Sequence, residues 1–216
     1  MKPRLPFDIL FEDRAVIVID KPAGLLTTHT KLVGRAAREA QATAENLLNG
    51  YVRKGQLRSS KRVWLVHRLD RETSGVMMFA KEESVAEWFR ANWSEVTEKT
   101  YLARVVGVLD SDRGVFESYL REDPRTLKVH SVKDAAAGKL ARTEWRRLAF
   151  KSGVTEVEVK LKSGRKNQIR VHFSEAGHPI VGDVKYGGPK ADRLYLHAAK
   201  LRFRHPHTGA WLEFTA

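Results

Sequence analysis

The segment His67-Arg68-Leu69-Asp70-Arg71-Glu72-Thr73-Ser74-Gly75 holds the densest group of chemically capable side chains. It joins two predicted strands, Val63–Val66 and Val76–Ala80, so a scaffold can hold its carboxylate Asp70 between two arginines. The residues alone leave open a turn residue, a metal ligand and a catalytic carboxylate. The kinase catalytic loop also contains His, Arg and Asp, but in another order. The chain also lacks an Asp-Phe-Gly sequence and a glycine-rich phosphate loop, which excludes a kinase.

Basic residues outnumber acidic ones over the whole chain. Lys and Arg total 39 against 26 Asp and Glu, a formal net charge of +13. From Arg53 to Arg62 there are five basic residues and no acidic one. A solvated loop explains such a run, and so does a surface that contacts phosphates. The overall charge favours an acidic polymer as the partner.

Several classes of protein are excluded by composition. The absence of cysteine rules out a disulfide scaffold, a thiol nucleophile, cysteine-ligated zinc and an iron–sulfur cluster. The most apolar stretch, Ala15–Ile19, has only the length of a strand, and the N-terminus lacks the apolar core of a secretory signal. We therefore expect a cytoplasmic protein without a membrane span. A length of 216 residues predicts one domain, or one domain with two lobes.

Hydrophobic periodicity predicts more strands than helices. Residues 27–42 are predicted as a loop with some helix, and helices follow from the Thr43 cap to near Gly55, over Ser84–Trp93 and over Asn167–Ala176. Besides those beside the Asp70 loop, strands are predicted at Phe7–Phe11, Ala15–Ile19, Thr100–Val108, Val115–Leu120, Leu127–Val132, Ala141–Leu148, Val154–Leu161, Tyr195–Phe203 and Ala210–Phe214. Because strands rarely alternate with helices, we predict an α+β fold with a largely antiparallel sheet.

Five segments, in this order along the chain, resemble the RluA-like pseudouridine synthases, which modify ribosomal and transfer RNA. They are Phe11–Asp13 with Val18–Gly24; His67–Gly75; Glu98–Gly107; Ser163–His172 with Gly177–Asp183 and Tyr186–Gly187; and Leu196–Ala198. The resemblance implies a single catalytic domain over residues 1–216, with a mixed sheet, flanking helices and loops, and an active-site cleft across the sheet. Because the first motif begins near residue 11, no N-terminal S4-type RNA-binding domain is expected.

The resemblance also implies the reaction and its residues. A uridine is isomerised to pseudouridine, which requires no cofactor and no metal. Asp70 is the essential carboxylate, by nucleophilic attack, by stabilising an oxocarbenium-like centre, or by a glycal route. Arg170 lies against Asp70 and keeps it ionised, and Tyr101 stacks on the flipped base near C5.

Other motif residues are expected to contact RNA or to shape the loops. Arg68 takes the place of the extruded base, and Asn167, where the family commonly has His, is assigned to capping or RNA contact. Phosphate contacts are expected at Arg53, Lys54, Arg58, Lys61, Arg62, Arg165 and Lys166. Structural roles are expected for His67, Leu69, Thr73, Gly75, Gly164, Gln168 and His172. His172, His178 and Asp183 could suggest a metal set, but motif structure explains them. His205 and His207 are expected to be exposed.

These expectations describe an isomerase that acts as a monomer on a structured RNA, such as a stem-loop of ribosomal or transfer RNA. The main alternative is a non-catalytic basic RNA-binding protein of the same fold. It explains the charge equally well, but it gives no reason for the joint presence of Asp70, Tyr101 and Arg170. A glycosidase or base-excision enzyme would share the carboxylate chemistry but would release uracil.

Overall fold

The structure, a computed structural model, describes residues 5–29, 41–54, 56 and 58–216. The chain forms two compact units, one of Met1–Thr97 with Lys200–Ala216 and the other of Glu98–Ala199. In chain order the elements are β1 (Ile9–Glu12), β2 (Val16–Lys21), α1 (Ala44–Val52), β3 (Trp64–Leu65), β4 (Ser74–Ala80), α2 (Glu83–Val96), β5 (Thr97–Val106), β6 (Arg113–Glu122), β7 (Val129–Val132), β8 (Lys139–Lys151), β9 (Val154–Leu161), α3 (Gln168–Glu175), β10 (Leu196–Arg204) and β11 (Trp211–Thr215). That the two units act as one catalytic domain stays a prediction.

The first unit is built on two buried antiparallel strands. The register of β2 and β4 runs from Lys21 opposite Gly75 to Val16 opposite Ala80, and every residue of β4 is buried. Such continuous apolar runs are typical of strands covered on both faces. Helix α2 adds Phe89 to the same apolar cluster, which also contains Phe203 near the end of β10. This core fixes both ends of β4, and with them the Asp70 loop that enters it.

The second unit contains an antiparallel sheet in the order β5-β9-β8-β6-β7. In β9 the residues Thr155, Val157 and Val159 are buried and alternate with more exposed neighbours, as the period-two pattern predicted. Helix α3 is short, but six of its eight residues are buried. Burial on nearly all sides indicates that α3 is held by surrounding groups rather than by its own helix propensity.

The α+β class and the largely antiparallel sheet are confirmed. The predicted strands and helices are present in the described part of the chain, with ends shifted by a few residues. The Thr43 cap is also confirmed, because its side chain accepts the N–H of Asn46 at 3.1 Å. Of the loop predicted at 27–42, residues 30–40 lie outside the described residues. No helix in the described ranges is long and apolar enough to cross a membrane.

The prediction of an exposed His205 is wrong. Only 5% of the residue is exposed, and its Nε2 lies 2.7 Å from Oδ2 of Asp13. Its Nδ1 accepts the backbone N–H groups of His207 and Thr208, so Nε2 carries the proton that bonds to Asp13. The turn before β11 is thereby tied to the turn between β1 and β2. His207, as predicted, is exposed.

Candidate active site

Thr27 holds the backbone of the Asp70 loop at Leu69. The Thr27 hydroxyl donates to the carbonyl oxygen of Leu69 at 2.8 Å and accepts the Leu69 N–H at 3.3 Å. The carbonyl of Asp70 accepts the N–H of Thr73 at 3.2 Å, which closes a turn around the carboxylate. Asp70 is half-buried, whereas Leu69 and Thr73 are buried. Leu69 and Thr73 therefore anchor the loop on either side of Asp70.

Lys21 clamps the same loop and was not among the predicted site residues. It is fully buried, and its Nζ donates to the carbonyl oxygens of Pro22, Leu25 and Arg71 at 2.9, 2.8 and 3.2 Å. Arg71 closes the clamp, because its carbonyl accepts the Gly24 N–H at 2.8 Å and its Nε donates to the Gly24 carbonyl at 3.1 Å. The turn after β2 is thus fixed to the residue that follows Asp70.

The clamp places a cation near the carboxylate of Asp70. Burial lowers the pKa of Lys21 to about 8, while the negative charges of Glu72, Asp70 and Asp20 act in the opposite direction. Below that pH the ammonium group is charged and favours the ionised form of Asp70. The sequence signal was a lysine placed directly between a buried strand and a Pro-Ala-Gly turn.

Replacement of Lys21 by Met should change how stability depends on pH. The pKa of Lys21 falls from 10.5 to about 8 in the fold, so between these values the unfolded chain binds the extra proton. The titration of Lys21 therefore raises the free energy of unfolding as pH rises from about 8 to 10.5, and this contribution is lost as pH falls back to 8. In urea unfolding from pH 7 to 10, the free energy of unfolding of the wild type should rise relative to that of Lys21→Met. A difference independent of pH would contradict the buried charge.

Two other motif residues fix the backbone on either side of Asp70. The N–H of Met78 donates to Nε2 of His67 at 3.0 Å, and the imidazole stacks on Trp93 at 4.8 Å between ring centres. Because Nε2 accepts this bond, the His67 ring is neutral with its proton on Nδ1. Gly75 has a φ of 112°, a conformation that side chains other than glycine rarely adopt. Both observations fit the predicted structural roles.

In the second unit, Arg170 forms a buried bidentate ion pair with Asp183. Its Nε and Nη2 each donate to one carboxylate oxygen at 2.7 Å, and the two side chains are 8% and 0% exposed. The Tyr186 ring lies 5.1 Å from the guanidinium carbon. Asp183 therefore orients one edge of the guanidinium. Among the described residues, no three His, Asp or Glu side chains form a metal-binding group.

Gln168 ties the start of α3 to the strand β8. Its Oε1 accepts the Ser163 hydroxyl at 2.8 Å and the Arg165 N–H at 3.0 Å. Its Nε2 donates to the carbonyl oxygen of Arg142 at 3.0 Å and to the hydroxyl of Thr143 at 2.9 Å. The turn that precedes Arg170 is fixed by a single buried amide whose hydrogen-bonding atoms are used on both sides.

His172 continues this scaffold one turn later in α3. Its two ring nitrogens bond to the hydroxyls of Thr143 at 2.8 Å and Ser118 at 3.0 Å. Burial lowers the pKa of His172, so the ring is held neutral in the fold. The contacts fit the expected structural role, because both polar atoms bond within the unit.

Asn167 is expected to cap α3 or to contact RNA. It occupies the N-cap position of α3 with a φ of 53°, but its side chain makes no capping bond. Instead its Nδ2 donates to the hydroxyl of Tyr186 at 2.9 Å, and only 7% of the residue is exposed. The residue therefore stands at the cap position without a side-chain capping bond, and its contact with RNA stays a prediction.

Tyr101 lies on β5 opposite Val159 and is 7% exposed. Lys99 is two residues earlier and so shares its face of the strand. Burial lowers the pKa of Lys99 to about 8, although the residue as a whole stays partly exposed. The Lys99 ammonium nitrogen lies close to Gly164, because a Cβ built on that glycine would be 3.3 Å from it. The site residues predicted from the sequence do not include Lys99.

The expected phosphate contacts divide by their partners. Arg68, Lys54, Arg58, Lys61 and Arg62 are exposed. Arg53 donates from Nε to the Lys61 carbonyl at 2.9 Å, and Arg165 donates from Nε to the Leu140 carbonyl at 3.0 Å. Lys166 is paired with Glu122. The exposed group is the better placed for a polyanion, since none of its five side chains forms an ion pair with a carboxylate of the described residues.

Comparison with known proteins gives matches over nearly the whole chain. The ribosomal large subunit pseudouridine synthase D of Nitrosomonas europaea is 35% identical over 219 residues, covering 95% of this chain. An uncharacterized RNA pseudouridine synthase of Bacillus subtilis is 33% identical over 223 residues, covering 98% of this chain. This chain spans 60% of the first relative's length and 69% of the second's.

A solved structure and a family model agree with these relatives. The structure of human RNA pseudouridylate synthase domain containing 4 has a TM-score of 0.75 and 25% identity, covering 96% of this chain and 87% of that one. The family described as RNA pseudouridylate synthase matches residues 15–175, a range that includes Asp70, Tyr101 and Arg170. The chain belongs to the RNA pseudouridylate synthase family, in its RluA-like branch.

Proposed function

We propose that this chain isomerises uridines in RNA to pseudouridine, with Asp70 as the reacting carboxylate. The observation that carries the proposal is the Asp70 loop, in which Lys21 and Thr27 hold the backbone on both sides of a half-buried carboxylate. A reactive group needs such preorganisation, because misplacement of even 1 Å costs rate. Family membership supplies the reaction class.

The proposed reaction changes no overall composition. The bond between N1 and C1′ breaks, the base turns, a bond forms between C5 and C1′, and the proton on C5 leaves while N1 takes one up. Asp70 acts at the ribose, either on C1′ or on the 2′ proton. Arg170 favours the ionised form of Asp70, and Tyr101 supports the base near C5. The target uridine is extruded before reaction, and Arg68 fills the vacated position.

The proposed substrate is ribosomal RNA, with transfer RNA as the second candidate. The name of the Nitrosomonas relative supports the first choice, since it designates a synthase of the ribosomal large subunit. The net charge of +13 supports a large polyanion in either case. Monomeric action in the cytoplasm stays part of the prediction.

The proposal is tested by mapping modified uridines directly. Purified protein is incubated with unmodified ribosomal and transfer RNA transcripts, and pseudouridine is located by carbodiimide-dependent primer stops. New stops at defined uridines support the proposal. Release of free uracil would instead identify a glycosidase, and RNA binding without either product would identify a binding protein of this fold.

Replacement of Tyr101 by Phe should separate the two halves of the reaction. The ring keeps its stacking face, so RNA affinity and cleavage of the glycosidic bond are retained better than the final proton loss. We expect slow tritium release from C5-tritiated uridine in RNA, by about 10²-fold or more. Tritium release at the wild-type rate would leave Tyr101 as a stacking residue only. Phe116→Leu, an aromatic change on another strand, provides the control for altered packing.

A further inference from the structure

A basic cleft lies in the first unit, formed by the turn between β1 and β2, the end of α1 with the residues that follow it, and β3. Its volume is about 550 Å³, within the range of ligand pockets. Five cationic side chains and two carboxylates line it: Arg14, Lys54, Lys61, Arg62 and Lys81, with Glu12 and Glu82. The balance of charge in the cleft is therefore positive.

The two carboxylates are already bound within the cleft. Glu12 accepts Lys81 Nζ at 2.7 Å on one oxygen and the Tyr51 hydroxyl at 2.9 Å on the other. Glu82 accepts Arg14 Nε at 3.0 Å. Within the described part of the chain, Lys54, Lys61 and Arg62 have no carboxylate partner. Three positive charges are thus left for an anion, and a concave wall focuses their field.

An aromatic ring stands beside these charges. Trp64 on β3 is half-exposed, and the guanidinium carbon of Arg62 lies 5.3 Å from the centre of its ring. Unpaired bases stack both on aromatic rings and on arginine guanidinium planes. The cleft therefore offers both phosphate contacts and a base-stacking platform.

The segment that carries the cations is held at two points. Arg53 donates from Nε to the carbonyl oxygen of Lys61 at 2.9 Å. The N–H of Val63 donates to Oδ1 of Asn49 in α1 at 2.8 Å. The path of residues 61–63 toward Trp64 is thus fixed before any ligand binds, which lowers the ordering cost of binding.

The cleft and the Asp70 loop lie at opposite ends of one strand. Trp64 pairs with Ala80 at the last position of β4, whereas the Asp70 loop enters β4 at Ser74. Because a strand advances about 3.3 Å per residue, these ends of the seven-residue strand are roughly 20 Å apart. A free mononucleotide cannot reach both places, but a flanking stretch of one RNA chain can.

We propose that this cleft binds a single-stranded segment of the substrate RNA that flanks the target uridine, with phosphates on Lys54, Lys61 and Arg62 and one base stacked on Trp64. The proposal rests on the proposed function, because it takes RNA as the substrate. It adds a second point of attachment, distant from the Asp70 loop, that selects RNAs by what lies beside the target.

The test measures binding of a fluorescein-labelled uridine dodecamer to the full chain by anisotropy at several salt concentrations. Lys54, Lys61 and Arg62 are changed together to Gln. The matched control changes Arg113, Lys133 and Lys151 to Gln, three exposed cations of the second unit that lack carboxylate partners among the described residues. Thermal melting confirms that both variants are folded.

The cleft variant should lose affinity by at least about tenfold. The slope of log affinity against log salt should become shallower by about 2, at 0.7 for each lost phosphate contact. Trp64→Leu should also lose about tenfold but keep the wild-type slope, since it removes stacking and no charge. A dodecamer containing 4-thiouridine should crosslink to Trp64 under ultraviolet light.

Three results would overturn the proposal. The first is wild-type affinity of the cleft variant, and the second is an equal loss of affinity in the cleft and control variants. The third is that a glutamate oligopeptide competes as well as unlabelled RNA and that no crosslink forms at Trp64, which would indicate an acidic protein partner. These measurements need no turnover. If the cleft proposal fails, the pseudouridine mapping still supports the proposed function. If the cleft binds RNA as expected but no pseudouridine forms, the proposed function alone is refuted.

Discussion

Asp70→Asn should abolish pseudouridine formation while RNA affinity stays within a few-fold of the wild type. The change removes the negative charge that we propose reacts at the ribose, and it changes the side-chain volume little. The loop keeps its Thr27 and Lys21 contacts, because both are made to the backbone. Loss of a reacting group of this kind costs about 10⁴-fold or more in rate. The measurement is single-turnover pseudouridine formation on a responsive transcript, with affinity measured in parallel.

A neighbouring carboxylate supplies the control. Glu72 is exposed in the same loop and also faces the charge of Lys21, so Glu72→Gln removes one negative charge at almost the same place. This variant should keep most of the wild-type rate. Pseudouridine formation by Asp70→Asn at a rate close to that of Glu72→Gln would refute the assignment of Asp70 as the reacting group.

Elements with strong periodicity were predicted well from the sequence. The alternation of Val157 and Val159 with charged neighbours located β9, and Thr43 located the start of α1. These signals are local, because they depend on which residues of one segment are buried or which side chain can satisfy an unpaired N–H. The position of Asp70 between two strands was predictable for the same reason.

Contacts between distant segments were not predictable in this way. The three carbonyls around Lys21 include that of Arg71, fifty residues away, and the pairing of His205 with Asp13 joins the two ends of the first unit. A charged residue in a sequence is expected at the surface unless its partner is known. The bond from Asn167 to the Tyr186 hydroxyl was likewise not predictable, because it depends on how the later turn folds back.

The pairing of Arg170 with Asp183 leads to the second large expected effect. Arg170→Lys keeps one positive charge but cannot donate in parallel to both oxygens of Asp183, as the guanidinium now does at 2.7 Å. We expect a fall in single-turnover rate of about 10²-fold or more, since the proposed role of Arg170, to favour the ionised form of Asp70, depends on an oriented guanidinium. The pH below which the rate falls should also be higher than in the wild type, because Asp70 then ionises less readily.

Asp183→Asn should also lower the rate. A control at an exposed ion pair distinguishes loss of orientation at Arg170 from loss of a charge elsewhere on the protein. Arg104 and Glu156 form a pair at 2.9 Å with both side chains about half exposed, so Glu156→Gln should leave rate and pH profile unchanged. Melting curves establish whether each variant is folded at the assay temperature. If a folded Arg170→Lys variant has the wild-type rate and the wild-type pH profile, Asp70 needs no guanidinium. Lys21 would then be the one cation of this proposal that favours the ionised form of Asp70.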